Sequence, residues 1–277
     1  DADGRRRHPG YATDLITDFS LEWLADRDPD RPFCLLVHHK APHRSWEPDD
    51  AHATLYDDID IPEPDTLFDD FATRSDAVPA ARMRLEDLNE KDLKGPVPEG
   101  LDPVAERRWR YQRYIKDYLR TVASMDDNVG RLLDWLDDHD LSDSTVVSYA
   151  SDQGFYLGDH GWFDKRFIYE ESLKMPYVVR WPGVIEPGTV IDELVSNVDL
   201  AATWCDVAGV PAPPASQGRS LVPLLRGEHP DDWPEQVYYR YWMHDDGAHG
   251  VWAHYGLRTT EHTLVCYYGD GLGTAGS

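Results

Sequence analysis

The strongest constraint on the fold is the alternation of amphipathic helical segments with short apolar runs. Residues 104–138 carry apolar side chains at three- and four-residue spacing, which predicts one long helix starting after Asp102-Pro103. Similar spacing predicts helices over 12–25 and 199–209. The predicted buried strands between the helices are FCLLV at 33–37, TVVSY at 145–149 and MPYVVRWPG at 175–183. This order implies a layered α/β architecture with a mostly parallel sheet.

The last part of the chain has a different character. VYYRYW, VWAHYGLRT and HTLVCYY are aromatic segments separated by turns, and they predict an antiparallel meander. We therefore predict an α/β core over residues 1–228 and a small β-rich subdomain over residues 229–277. Residues 47–102 are rich in Asp and Pro and show little periodicity, which predicts an irregular excursion over the surface.

The composition excludes several classes of function. The 277 residues carry a net charge of −25, which argues against binding nucleic acid or an anionic membrane. With 38 Asp but only 6 Lys, the chain is typical of proteins soluble in high salt, although an ordinary acidic bacterial protein is an alternative. No apolar run approaches a membrane span, and the first residues lack the apolar stretch of a signal peptide, so the compartment stays open.

The three cysteines are Cys34, Cys205 and Cys266. Their odd number and wide spacing give neither a disulfide framework nor a CxxC metal motif. Cys34 and Cys266 lie in strand-like runs, so we expect both to be small buried hydrophobic residues.

Polar residues follow the predicted strand at 145–149, where an α/β sheet gathers its functional groups. Asp152 and Gln153 offer two oxygen ligands to a hard cation such as Ca²⁺ or Mg²⁺, which needs about six. The alternative is a turn in which Asp152 caps backbone amides and Gly154 adopts a positive φ.

Farther along this segment, Lys165 could hold a tetrahedral anion by its point charge, or pair with Asp164 or Glu170. His160, within GDHG, could donate to the same anion or have a purely structural role.

A second polar loop, KAPH, follows the predicted strand at 33–37. His43 could serve there as a general acid or an anion ligand, with Lys40 assisting. A histidine whose hydrogen bonds are satisfied within the loop is the alternative.

Taken in order, these motifs closely resemble the sulfatase family of the alkaline-phosphatase-like superfamily. The resemblance spans nearly the whole chain and implies a layered α/β/α fold. The matching segments are KAPH at 40–43, ASDQG at 150–154, LGDHGWFDKR at 157–166, YEESLKMPYVVRWPG at 169–183 and HYGLRT at 254–259.

The resemblance implies a role for each matching residue. Asp152 and Gln153 correspond to the second pair of Ca²⁺ ligands, although Asn is more usual at the second position. Lys165 corresponds to the lysine that binds the sulfate group, and His43 to the histidine that protonates the leaving oxygen. The residues assigned to substrate binding are Lys40 and His160, and those assigned to holding the loop are Glu170, Glu171 and Ser172. The aromatic residues of the segment 150–171 would shape the pocket.

The nucleophile of the family has no counterpart here. It is a formylglycine made from the Cys or Ser of a C/S-x-P/A-x-R motif, and neither the three cysteines nor Ser45 fits this pattern. Two further aspartate ligands of the metal also lack a match. We therefore expect both features in a preceding segment of a longer protein, and we expect this chain to be inactive by itself.

The resemblance favours a sulfated carbohydrate as substrate, of the glucosamine-6-sulfate or mucin type, or an aryl sulfate ester. Three alternatives stay open: a phosphonate or phosphate ester hydrolase of the same superfamily, a non-catalytic protein that binds sulfated glycans, and one piece of a split polypeptide. The oligomeric state is not indicated by the sequence.

Overall fold

A computed structural model describes residues 6–268, so the ends of the two predicted domains, residues 1–5 and 269–277, lie outside the described residues. The chain forms two compact units. The first comprises Asp1–Asp65 and Leu85–Ser142, and the second comprises Thr66–Arg84 and Asp143–Ser277. The domain boundary predicted between residues 228 and 229 falls inside the second unit, and a separate domain there stays a prediction.

The first unit is built on helices. They are α1 (Ala12–Asp26), α2 (Glu90–Leu93) and α3 (Pro103–Asp138). The side chain of Asp102 accepts hydrogen bonds of 2.9 Å from the N–H groups of Val104 and Ala105. Because these donors have no partner inside the helix, this cap fixes the start of α3. The long helix predicted from residue 104 is therefore confirmed.

Helix α1 packs against α3. Its buried residues are Thr13, Thr17, Ser20 and Leu24. Asn128 and Arg131 of α3 hydrogen-bond to Asp14 and Asp18 of α1 and so hold the two helices together.

The predicted strand at 33–37 is not formed. These residues belong to no strand among the described residues, and Cys34 is exposed while Leu36 is 66% exposed. An apolar run becomes a strand only when a neighbour pairs with its N–H and C=O groups, and no described residue does so here. The predictions of a strand at 33–37 and of a buried Cys34 are both wrong.

The second unit contains two small sheets. Strand β1 (Val147–Ala150) pairs with β2 (Tyr177–Arg180), with Val147 opposite Arg180. The other sheet is a meander of β3 (Gln236–Tyr241), β4 (His254–Thr259) and β5 (Thr263–Tyr267), which confirms the predicted antiparallel meander.

Every strand pair within residues 6–268 is antiparallel, so the mostly parallel sheet predicted for the core is wrong for this part of the chain. A parallel pair requires a crossover between its two strands. Here β1 and β2 pair with each other in antiparallel register, and no third described strand joins their sheet.

The remaining helices of the second unit are α4 (Glu170–Leu173), α5 (Asp199–Val207) and α6 (Val222–Leu225). Helix α5 ends as predicted before Gly209, whose φ of 68° suits a residue without a side chain. Among residues 6–268, no helix combines the length and the apolar character that a membrane crossing requires.

The core of the second unit is aromatic. Trp162 stacks on Phe71 and on Phe167 with ring centroids 5.2 Å apart in each case. The other buried members of this cluster are Ala77, Val78, Ala81, Met83, Tyr156, Val251 and Tyr267. The loop between β1 and β2 is therefore the centre of the core, although its sequence is rich in charges and glycines.

Candidate active site

Gly154 fixes the segment that follows β1. Its N–H donates a 2.8 Å hydrogen bond to the carbonyl oxygen of Ser172. A Cβ at position 154 would lie 2.1 Å from the carbonyl oxygen of Glu171, so only glycine fits. Its φ lies outside the positive range, so the alternative of a positive φ is wrong, and close backbone approach is what requires the glycine.

Asp152 and Gln153 precede this contact. The carboxylate of Asp152 is exposed and accepts a long hydrogen bond of 3.4 Å from Ser151 Oγ. Asn197 donates a 2.9 Å hydrogen bond to the backbone carbonyl of Asp152 and so steadies the turn. The two side chains fit a hard cation by their chemistry, but they provide only two of about six oxygen ligands. No group of three or more His, Cys, Asp or Glu among the described residues could hold a metal ion.

The aromatic residues of the loop lie beneath it. Tyr156, Trp162 and Phe167 are fully buried in the core, and Phe163 is 1% exposed. They therefore form part of the core, and the expectation that aromatic residues shape the pocket stays a prediction. A core of this density holds the backbone rigidly.

Lys165 lies between two residues with unusual backbone angles. Asp164 has a φ of 75° and Arg166 a φ of 108°, a region that side chains disfavour. Tyr239 of β3 donates a 2.6 Å hydrogen bond to the carbonyl oxygen of Arg166, and Ser172 accepts a 3.2 Å bond from the N–H of Arg166. Contacts from both sides thus hold the turn that presents Lys165.

Asp164 balances the charges in this turn. Its carboxylate pairs with Arg166 and lies 3.8 Å from Lys165 Nζ. His249 Nε2 approaches it to 3.4 Å. Burial opposes ionisation, but the hydrogen bond from His249 and the positive charges of Arg166 and Lys165 outweigh it and lower the pKa of Asp164 to about 2. The predicted contact of Lys165 with Asp164 is confirmed, whereas Glu170 pairs with Arg258.

His160 has carboxylates on both sides of its ring. Nδ1 lies 2.8 Å from Asp69 Oδ2, and Nε2 lies 3.7 Å from Glu171 Oε1. The carboxylate of Glu171, together with that of Asp69, raises the pKa of His160 against the effect of burial. The side chain is 10% exposed, so this geometry supports the structural alternative for His160.

The KAPH loop belongs to the first unit. His43 is exposed and its Nδ1 lies 3.1 Å from the carbonyl oxygen of Arg44. Lys40 is exposed as well, and its Nζ donates a 3.1 Å hydrogen bond to the same carbonyl. Arg44 anchors the loop by donating two hydrogen bonds to the buried carboxylate of Asp92.

The predicted site residues are thus divided between the units: Lys40 and His43 lie in the first, and Asp152, Gln153, His160 and Lys165 lie in the second. The sequence prediction missed His249, which lies beside Asp164, and Asp246, which contacts the other ring nitrogen of His249. The dense run HDDGAHG at 244–250 was the available signal.

The comparisons with known families decide the family. The family described as "Sulfatase" matches residues 2–210. The chain belongs to the sulfatase family. A second match, described as "N-sulphoglucosamine sulphohydrolase, C-terminal", covers residues 158–272.

Among the relatives of this sulfatase-family chain is an N-acetylglucosamine-6-O-sulfatase of Bacteroides thetaiotaomicron, 39% identical, matched over 94% of this chain and 54% of that protein. An arylsulfatase of Clostridium perfringens is 28% identical over 87% of the chain and 47% of its own length. The chain thus spans about half the length of these relatives.

Solved structures of similar proteins agree with the predicted fold. One, a complex with its substrate D-glucosamine-2-N,6-O-disulfate, has a TM-score of 0.88 at 37% identity and covers 95% of this chain and 62% of that one. A phosphonate monoester hydrolase from Silicibacter pomeroyi has a TM-score of 0.74 at 26% identity, over 98% of this chain and 56% of that one. The predicted alkaline-phosphatase-like α/β fold is confirmed.

Proposed function

We propose that this chain is part of a sulfuric ester hydrolase that removes sulfate from a sulfated glucosamine unit of a carbohydrate. The observation that carries the proposal is the rigid turn that presents Lys165, in a chain similar to proteins named as glucosamine sulfatases. The substrate class comes from the bound ligand of the solved relative, D-glucosamine-2-N,6-O-disulfate.

Lys165 would bind the sulfate group. Its Nζ lies 5.7 Å from the centre of the Phe155 ring, and the side chain is 17% exposed. A partly desolvated ammonium attracts an anion more strongly than one surrounded by water. The same charge would stabilise the negative charge that builds on the sulfate oxygens as the ester bond breaks.

His43 would donate the proton to the leaving oxygen. Its Nδ1 is directed at the Arg44 carbonyl, so Nε2 is the nitrogen available for a substrate. Lys40 would add a positive charge for the substrate. These two roles rest on the family resemblance and on the exposure of both side chains.

Asp152 and Gln153 would hold Ca²⁺, with Mg²⁺ as the alternative. When bound, this ion supplies a fixed positive charge to the sulfate group. Asn197 and Gly154 would keep the two ligands in place through the contacts described above. The formylglycine nucleophile is a property of the proposed whole enzyme, because this sequence has no C/S-x-P/A-x-R motif.

The test is desulfation of glucosamine-6-sulfate by the whole gene product. We expect Lys165→Ala to lower kcat/KM by about 10²- to 10³-fold, as for removal of one transition-state donor. Lys174→Ala is the matched control, since Lys174 is an exposed lysine in the same unit. Equal activity of the two variants would refute the role of Lys165. Substrate binding without turnover by the unmodified protein would indicate a glycan-binding protein instead.

The second candidate is a phosphonate ester hydrolase, favoured by the likeness to the phosphonate monoester hydrolase. A phenyl phosphonate ester assayed beside the sulfated sugar separates the two. A higher kcat/KM for the phosphonate would replace the sulfatase proposal.

A further inference from the structure

His249 connects the turn around Lys165 with another segment of the second unit. Its Nε2 lies 3.4 Å from Asp164 Oδ2 and its Nδ1 lies 3.0 Å from Asp246 Oδ2. The N–H of His249 also donates a 2.6 Å hydrogen bond to Asp246 Oδ1. Only the doubly protonated ring can donate to both carboxylates. The arrangement therefore fits the positively charged form of His249.

We propose that His249 and Asp246 are positioning residues that hold the Asp164–Lys165–Arg166 turn and set its affinity for an anion through the charge on His249. This inference rests on the proposed role of Lys165 in binding sulfate. It concerns residues outside the sequence motifs that suggested that role.

The charges show why His249 matters. Asp164 and Asp246 oppose Lys165, Arg166 and His249. With His249 protonated this group carries a net charge of +1, and after loss of the proton it carries none. Neutral His249 would also leave Asp164 to be balanced by Arg166 and Lys165 alone, so both cations would be drawn toward Asp164. Both effects weaken the attraction for an anion.

The surroundings favour the charged form. The charged and titratable groups around His249 are Asp164 and Arg166 of the loop, Asp245 and Asp246 of its own segment, Arg82, and Tyr241 of β3. Arg82 and Asp245 form an ion pair at 3.3 Å, so their opposite charges cancel. The carboxylates of Asp164 and Asp246 raise the pKa of His249 against the opposing effect of burial and of the Arg166 charge. The pKa of His249 therefore lies above its ordinary value.

The experiment measures the Kd of inorganic sulfate for the whole gene product between pH 5.5 and 8.5 at constant ionic strength. Sulfate stays a dianion throughout, so the pH dependence belongs to the protein. We expect the Kd to rise about fivefold as pH increases, the effect of one charge a few ångströms away. His249→Gln should show the weaker affinity at every pH, with no such rise. Asp246→Asn should shift the rise to lower pH.

Two controls separate possible failures. His229→Gln alters an exposed His–Glu193 pair of the same unit and should behave as wild type. Lys165→Ala should abolish sulfate binding. If it does, and His249→Gln retains the wild-type pH dependence, the positioning role is refuted and the proposed function survives. If wild type does not bind sulfate, or binds it without Lys165, the proposed function fails and this inference fails with it.

If His249→Gln does not fold, the positioning role of His249 is tested with the Asp246→Asn variant and with an NMR titration of the His249 ring. A ring that titrates at or below its ordinary value of 6.5 would overturn the proposal.

Discussion

Two histidines of the second unit have a carboxylate near each ring nitrogen, but the residues around the two clusters differ. The His160 cluster comprises Asp69, His160 and Glu171, and the His249 cluster comprises Asp164, His249 and Asp246. Each cluster consists of two carboxylates and one imidazole. What differs is the rest of the environment.

The His160 cluster packs against aromatic rings. The ring centroid of His160 lies 5.5 Å from that of Tyr169 and 5.7 Å from that of Trp162. The backbone N–H of His160 donates a 3.0 Å hydrogen bond to Thr66 Oγ1. The His249 cluster instead shares Asp164 with Lys165 and Arg166. His160 thus packs against the core, whereas His249 shares its carboxylate partner Asp164 with two cations.

The largest expected effect comes from His160→Ala. This change would leave two carboxylates without their shared partner and remove a ring from the edge of the aromatic core. We expect a loss of about 3 kcal/mol in the free energy of unfolding, from urea titration at pH 6. His229→Ala, at an exposed position, is the control. If His160→Ala lost less free energy of unfolding than His249→Ala, His249 and not His160 would be the histidine that contributes more to the stability of the fold.

Asp164→Asn should cost about 2 kcal/mol at pH 7, from the lowering of the pKa of Asp164 from 3.8 to about 2. A lowered pKa stabilises the fold above the unfolded value, and the stabilisation is lost as pH falls through about 2. The difference between wild type and Asp164→Asn should therefore narrow when urea unfolding is repeated at pH 3. A difference independent of pH would show that packing, not charge, dominates at Asp164.

Ring titration by NMR should give both histidines a pKa above the ordinary 6.5, since both are raised. A raised pKa stabilises the fold fully below the unfolded value, and this contribution is lost as pH rises through the folded value. Urea midpoints should therefore fall on the alkaline side. His160→Gln and His249→Gln should each remove part of that fall. The exposed variant His262→Gln should leave it intact.

The smallest effect is expected for Glu171→Gln. Its carboxylate lies 3.7 Å from His160 Nε2, compared with 2.8 Å for Asp69 on Nδ1. We expect a loss of about 1 kcal/mol, below that of Asp69→Asn. Equal losses from the two variants would show that the longer contact is as strong as the shorter one.

The sequence predicted part of the fold reliably. The 36-residue helix α3 follows from apolar spacing and from the Asp102-Pro103 start, which are local properties. The meander β3–β5 follows from apolar runs separated by turns. The FCLLV run shows the limit: it has the composition of a strand but no partner among the described residues, because pairing depends on distant parts of a chain.

The candidate site divides in the same way. By itself the sequence determined the family and singled out Lys165, Asp152, Gln153 and His43, because short motifs carry that information within a few residues. Only the tertiary structure placed His249 beside Asp164, more than 80 residues away in the chain, with Asp246 at the other ring nitrogen of His249. It also buried four aromatic residues of the loop in the core. Such contacts are decided by how distant segments pack, since charge balance and burial belong to the folded surroundings of a side chain.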